Sequence, residues 1–251
     1  MIHRFSHVVG WIAGSFLLAC QPHGESSHER LLVLHSPEET GVTFANQLHE
    51  SEALNILTFE YFYNGAGVGV GDINNDNLPD LFFAANMGEN RLYLNKGSWQ
   101  FEDITQPAGV GAPGKWATGV AMVDINQDGW LDMYVCYAGP LADPWKRANE
   151  LYINQQNGTF SEQAKEYGLA DTVHSTQATF FDYDQDGDLD MYLLTNITDQ
   201  TGPNVIRPKR NDGNMVNTDR LYRNEGVGGN GHPVFTDVSS SAGITYEGYG
   251  L

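Results

Sequence analysis

The chain has 251 residues, with 32 acidic and 13 basic side chains, which gives a formal net charge of −19. A chain this acidic lacks the clustered Lys and Arg that bind a nucleic-acid backbone, so we expect no nucleic-acid partner. Its two cysteines exclude a disulfide scaffold, and its 41% hydrophobic residues exclude a disordered acidic tail.

The first element in chain order is an apolar run from Val8 to Ala19. A bilayer span needs ~20 residues, so this run is too short to cross a membrane and instead suits a signal peptide. The residues that end it, Leu17-Leu-Ala-Cys20, resemble a bacterial lipobox, in which cleavage precedes a lipidated cysteine. We expect a signal peptide over residues 1–19 and a flexible tether over residues 20–40. The protein would then be an exported, membrane-anchored bacterial lipoprotein, periplasmic or on the cell surface, whose only membrane contact is lipidated Cys20. An ordinary signal peptide that happens to hold a cysteine is the alternative.

Three markers recur along the rest of the chain. Nine-residue acidic segments align without gaps at 72–80, 124–132 and 182–190. A Leu-Tyr-x-Asn marker follows at 92–95, 151–154 and 221–224, and an apolar-Gly-apolar marker closes each unit at 108–110, 167–169 and 242–244. The acidic segments begin 52 and then 58 residues apart, and most insertions fall between the acidic segment and the Leu-Tyr marker. This pattern predicts an array of supersecondary units of ~50 residues.

Each unit contains strand patterns. Apolar runs that suit strands follow the acidic segments at 81–85, 133–137 and 191–195. Residues 67–71 and 119–123, which precede the first and second acidic segments, suit a further strand. The Leu-Tyr marker supplies a third strand, and the alternating segments 101–105 and 235–238 supply a fourth. Four short antiparallel strands in series predict an all-β fold of β-propeller blades. Residues 41–251 would hold three to four blades, and a fourth acidic segment would begin at position 255. We therefore expect an incomplete propeller, with a closed four-blade ring as the alternative.

The acidic segments follow the pattern Asp-x-[Asp/Asn]-x-Asp-[Gly/Asn]-x-x-Asp. Oxygen ligands so spaced on a tight loop suit Ca²⁺, which takes 6–8 oxygens. An EF-hand would need Glu at position 12, where Phe83, Val135 and Leu193 stand. Position 6 needs a residue that tolerates positive φ, which Asn77, Gly129 and Gly187 provide.

Up to three calcium ions are expected, with structural roles. Asp/Asn-rich turns without an ion are the alternative. The candidate side-chain ligands are Asp72, Asn74, Asp76 and Asp80; Asp124, Asn126, Asp128 and Asp132; and Asp182, Asp184, Asp186 and Asp190; the candidate carbonyl ligands are those of Leu78, Trp130 and Asp188.

These loops, together with the Leu-Tyr-x-Asn and Phe-x-Asp-[Ile/Val]-[Thr/Ser] markers, resemble FG-GAP/VCBS repeats, the blades of integrin α-type propellers. The segment Gly41-Val-Thr-Phe-Ala-Asn46 is similar to a signature of the bacterial group related to cartilage acidic protein 1. The resemblance implies calcium at the positions named above, and an ASPIC/UnbV domain after the propeller. The first loop departs from the family pattern at Asn77 and Pro79, so we expect it to bind most weakly.

The variable insertions, about 138–149 and 196–219, should lie on the face opposite the acidic loops. Loops on a rigid scaffold often carry function, so a ligand-contacting face could include Trp145, Arg207, Lys209 and Arg210. A solvated insertion without a ligand is the alternative.

Catalytic motifs are absent from the sequence. We predict a non-catalytic, calcium-binding cell-surface module that binds or adheres to an extracellular protein or glycan. The alternative is an accessory propeller of a polysaccharide-active enzyme, either a lyase or a hydrolase.

Overall fold

The computed structural model describes residues 32–141, 143–196, 208–213 and 215–248. The predicted signal peptide, the lipidation site Cys20 and the predicted ligand-face residue Arg207 lie outside the described residues. A compact unit begins at His35. It opens with a one-turn helix, α1 (Pro37–Thr40), inside the segment predicted as a tether. Ser36 caps this turn, because its Oγ accepts the Glu39 N–H and the Glu39 carboxylate accepts the Ser36 N–H.

The strands of the described residues form three four-stranded antiparallel sheets, each in chain order. The first blade contains β1 (Val68–Gly71), β2 (Asp80–Phe83), β3 (Arg91–Asn95) and β4 (Phe101–Asp103). The second contains β5 (Ala117–Val123), β6 (Asp132–Tyr137), β7 (Glu150–Asn154) and β8 (Phe160–Glu162). The third contains β9 (Ser175–Phe181), β10 (Asp190–Thr195), β11 (Arg220–Val227) and β12 (Pro233–Asp237). The prediction of all-β propeller-like blades, present as an incomplete set, is confirmed.

The apolar-Gly-apolar marker lies at the C-terminal end of a one-turn helix, and its glycine is the C-cap. The helix is α2 (Thr105–Ala108) after the first blade and α3 (Ala164–Tyr167) after the second. The predicted outer strand 101–105 therefore ends at Asp103, whose carboxylate accepts both the N–H and the hydroxyl of Thr105. Glycine closes the turn because Gly168 has φ +78° and a Cβ there would lie 2.7 Å from the Phe235 carbonyl oxygen.

The core lies between successive blades. One apolar cluster joins the first blade to the second, and another joins the second to the third. Strand β6 is buried at every position because it faces both clusters. Its Val135 and Tyr137 pack toward the first blade, whereas Tyr134 and Cys136 pack toward the third. This two-sided burial explains the unbroken apolar run in the sequence. Burial also raises the pKa of the Cys136 thiol, as expected for a core residue rather than a reactive one.

The inner strands of the blades lie beside one another, with β5 between β1 and β9. Thr118 of β5 donates its hydroxyl to the Ser175 carbonyl at 2.7 Å, and Gln177 donates to the Val120 carbonyl at 3.2 Å. In the described part of the chain, every helix is too short to span a bilayer. Because each inner strand leads into an acidic segment, the three segments lie on one face of the blades. The β2–β3 connection and the described parts of the β6–β7 and β10–β11 connections begin and end on the other face.

Candidate metal sites

Each acidic segment is the tight loop between the first two strands of its blade. The first aspartate shapes the loop by accepting the backbone N–H groups of positions 5 and 6. In the second loop, the Asp124 carboxylate accepts the Asp128 N–H at 3.0 Å and the Gly129 N–H at 2.9 Å. Asp72 and Asp182 make the same pair of bonds in their own loops. The three loops therefore share one backbone shape.

Two residues of each loop have positive φ. Position 6 was predicted to do so, and this is confirmed by φ values of +68° at Asn77, +85° at Gly129 and +98° at Gly187. Position 4 also has positive φ, which the sequence analysis missed. Its φ values are +59° at Asn75, +57° at Gln127 and +66° at Gln185. Asparagine tolerates positive φ well, whereas glutamine adopts it rarely. The glutamines at position 4 therefore did not indicate a left-handed conformation.

The aspartate at position 9 joins the loop to the third strand. In the second loop Asp132 is fully buried, and its carboxylate accepts the Ile125 N–H at 3.2 Å and the Asn154 N–H at 2.8 Å. Asp80 and Asp190 are equally buried and make the equivalent bonds. Each carboxylate oxygen still has a free lone pair, so this role is compatible with ligation.

The pKa of the Asp132 carboxyl is raised to about 7, chiefly by burial. The two backbone N–H donors oppose this shift, and the nearby Asp128 and Asp124 charges add to it. Burial also raises the pKa of Asp80, against the same kind of backbone donors. A raised pKa is the direction expected for carboxyl groups that are buried close to other carboxylates.

The third loop has the most concentrated set of carboxylates. Asp182, Asp184 and Asp190 each offer an oxygen, and these oxygens all lie within 4.8 Å of one another. Asp188 was predicted to contribute only its carbonyl, yet its side chain also turns into the loop. Its Oδ1 is buried without a hydrogen-bond partner. Burial, and then the neighbouring Asp186, raise the pKa of Asp188 to about 6. A group of oxygen donors with uncompensated charge fits a hard divalent cation such as Ca²⁺.

The asparagine of the Leu-Tyr-x-Asn marker forms hydrogen bonds that connect the third strand of each blade to its acidic loop. Asn154 donates to the Leu131 carbonyl at 3.1 Å and accepts the Gln156 N–H at 2.9 Å. Asn95 and Asn224 make the corresponding bonds in the first and third blades. The sequence analysis used this residue as a repeat marker and missed its structural role.

Successive loops are also hydrogen-bonded to one another. The position 4 side chain of one loop donates to the position 6 carbonyl of the next, from Asn75 to Gly129 at 3.1 Å and from Gln127 to Gly187 at 3.3 Å. The left-handed backbone at position 4 directs the side chain out of its own loop. The three candidate sites are therefore parts of one continuous row.

The residues predicted as a ligand face have different surroundings. Trp145 lies on a 3₁₀ turn, Pro144–Arg147, and is exposed. Arg210 bonds through its backbone N–H to the Glu247 carboxylate at 2.8 Å, and its guanidinium lies 3.4 Å from the Met215 sulfur. Lys209 is exposed, and it too takes part in a contact. A ligand for this face stays a prediction.

Known proteins share the repeated part of the chain. A family model described as "FG-GAP-like repeat" matches residues 72–135 and 141–193, which include all three acidic loops. Cartilage acidic protein 1 of Xenopus tropicalis is 30% identical over 134 residues, covering 52% of this chain and 20% of that protein. The Homo sapiens protein of the same name is 30% identical over 129 residues, covering 50% of this chain and 18% of that protein. The chain spans about a fifth of the length of these curated relatives.

Proposed function

We propose that this chain, which carries FG-GAP-like repeats and is homologous to cartilage acidic protein 1, is a calcium-binding module without catalytic activity. The observation that carries the proposal is the third loop. There the oxygens of Asp182, Asp184 and Asp190 converge within 4.8 Å, beside a buried Asp188 oxygen that has no partner. Like charges this close are unfavourable without a cation.

In each loop the proposed ligands are the side chains at positions 1, 3, 5 and 9 and the carbonyl at position 7. A bound Ca²⁺ ion would supply the positive charge that offsets their repulsion. The role of the ions would be structural, because each loop connects the first two strands of a blade and its ninth aspartate holds the third. The row of loop-to-loop hydrogen bonds extends this support from blade to blade.

Calcium binding can be measured directly on the chelator-treated protein. Calorimetric titration with CaCl₂ should show up to three sites, and thermal unfolding should shift upward with Ca²⁺. Saturation at 100 times the dissociation constant stabilises the folded state by about 2.7 kcal/mol per site. Equal midpoints in EDTA and in CaCl₂ would refute the structural-ion proposal.

A pair of substitutions tests the third loop itself. Asp184→Asn removes one carboxylate charge of the cluster while keeping the side-chain volume. The second loop carries Asn126 at the same position, so we expect the third site to bind Ca²⁺ more weakly rather than to be lost. Glu166→Gln is the matched control, since Glu166 is an exposed acidic residue outside the loops. Identical stoichiometry and affinity for Asp184→Asn and Glu166→Gln would contradict the assignment of Asp184 as a ligand.

We also propose that the protein is exported and anchored through lipidated Cys20, where it binds an extracellular protein or glycan. The support is the apolar run Val8–Ala19 followed by Cys20. Metabolic labelling of the expressing bacterium with a radioactive or clickable fatty acid should mark the protein and should fail for Cys20→Ser. Labelling of Cys20→Ser at the normal level would exclude this anchor.

A further inference from the structure

The connection between β6 and β7 places a tryptophan on the face opposite the acidic loops. It has twelve residues, 138–149, whereas the equivalent connection between β2 and β3 has seven, 84–90. The extra length forms the 3₁₀ turn Pro144–Arg147, which contains Trp145. The Asp143 carboxylate caps this turn by accepting the Trp145 N–H at 3.0 Å. The turn thus fixes the backbone of Trp145, whose side chain is 69% exposed.

Trp145 lines an open groove of about 440 Å³. The segment after β8 also lines it, through Lys165 on α3 and Asp171 in the following loop. Tyr222 of β11 is a further lining residue, and its hydroxyl donates to the Asp171 carboxylate at 2.5 Å. The same carboxylate accepts the Val173 N–H at 2.9 Å. The groove therefore lies at the junction of the second and third blades, and its carboxylate is fixed by two bonds.

The groove combines an exposed aromatic ring with hydrogen-bonding groups of both kinds. Each Asp171 oxygen keeps one lone pair as an acceptor, and the exposed Lys165 ammonium is a donor. A flat aromatic ring beside a few positioned polar groups suits a ligand with an apolar face and a rim of hydroxyls. A sugar ring has this character. The groove pairs one carboxylate with one ammonium, and the chain as a whole carries −19, so a polyanionic glycan is disfavoured.

We propose that this groove binds a neutral oligosaccharide. The indole of Trp145 stacks on the apolar face of one sugar ring, Asp171 accepts hydrogen bonds from its hydroxyls, and Lys165 donates to a ring or hydroxyl oxygen. This inference rests on the proposed function as a binding module and names the chemical class of its ligand. The site is on the opposite face from the acidic loops, so the two can be tested separately.

The probes are cellotetraose, xylotetraose, mannotetraose and chitotetraose, with tetragalacturonate as the charged comparison. Each is titrated into the calcium-loaded protein by calorimetry and by tryptophan fluorescence. We expect at least one neutral tetrasaccharide to bind, and Trp145→Ala to weaken that binding by about tenfold or more, the equivalent of about 1.4 kcal/mol. Trp145→Phe should retain part of the affinity because it keeps a flat ring.

Trp99→Ala is the matched control, since Trp99 is similarly exposed, at 65%, but lies on the β3–β4 connection and stacks on His35. It should bind the sugar as the unsubstituted protein does. The inference is overturned if no neutral tetrasaccharide binds at low-millimolar concentration, if Trp145→Ala binds as tightly as the unsubstituted protein, or if only tetragalacturonate binds. Asp184→Asn separates the two proposals, because it should weaken calcium binding at the third loop and leave the sugar affinity unchanged. A protein that binds a neutral sugar but no calcium would refute the proposed function and leave the groove assignment standing.

Discussion

Asn154 makes a hydrogen bond between blades that distinguishes it from its counterpart Asn224. Both side chains are buried, at 4% and 3% exposure. Both bond to the carbonyl before the ninth aspartate of their own loop and accept an N–H two residues ahead. Asn154 Nδ2 also donates to the carbonyl of Ile73 in the first loop at 2.8 Å. The difference between Asn154→Ala and Asn224→Ala therefore isolates this one bond.

The expected difference follows from the burial of both partners. A protein hydrogen bond contributes about 1 kcal/mol net, and a buried carbonyl left without a donor costs about 1–3 kcal/mol. Ile73 is 3% exposed, so its carbonyl has little access to water after the substitution. We expect Asn154→Ala to lose about 2 kcal/mol more than Asn224→Ala. In a chain of this size that corresponds to a melting temperature lower by about 4–8 °C.

Urea unfolding in saturating CaCl₂, followed by tryptophan fluorescence, measures both free energies under conditions where the loops are loaded. The two variants should show equal slopes and different midpoints, because they expose the same surface on unfolding. Equal losses in the two variants would refute the reasoning, since the Asn154–Ile73 bond would then contribute nothing to the association of the first two blades.

Two further predictions concern a glycine and a histidine. Gly139 has φ +85°, and a Cβ there would lie 2.6 Å from the Trp116 ring, whereas Gly158 has φ +83° and open space around it. Gly158→Ala should cost about 1–2 kcal/mol through backbone strain alone, and Gly139→Ala should cost clearly more in the same urea assay; equal costs would show that the Trp116 contact relaxes freely. Burial, and then the charge of Arg147, lower the pKa of His174 to about 4. The unfolded state, with a His pKa near 6.5, therefore binds the extra proton between pH ~6.5 and ~4, so this residue removes stability as the pH falls through that window. His174→Gln should lose less stability than the unsubstituted protein between pH 7 and pH 5, and an identical loss would contradict the assigned environment.

The strands could be predicted from the sequence because each blade repeats the same local signals. The apolar runs after the acidic segments became β2, β6 and β10, and the Leu-Tyr markers became β3, β7 and β11. These strands follow from apolar runs and alternating patterns, which can be read from one sequence. The positive φ at position 6 was also predictable, since glycine and asparagine are the residues that adopt it without strain.

The features that the sequence did not reveal are either very short or depend on contacts between blades. The one-turn helices α2 and α3 are four residues long, too short for any periodicity to appear. The left-handed conformation of Gln127 and Gln185 contradicts local preference, and Gln127 gains a hydrogen bond to the next loop that only the assembled blades provide. At Gln127 this tertiary contact overrides the backbone propensity of the residue.

A substitution at the ninth aspartate would affect calcium binding and folding together. A test of calcium binding alone therefore needs a different residue of the loop. Asp190 is fully buried, and its two oxygens accept the Tyr183 N–H at 2.9 Å and the Asn224 N–H at 2.8 Å. An amide at this position would turn a donor toward one of those N–H groups and leave it unpaired in the interior. A substitution there removes a connection between strands together with a proposed ligand, so loss of calcium would not distinguish the two roles. Asp184 is exposed and lies in the same cluster, so its carboxylate can be neutralised while the buried connection at Asp190 stays intact.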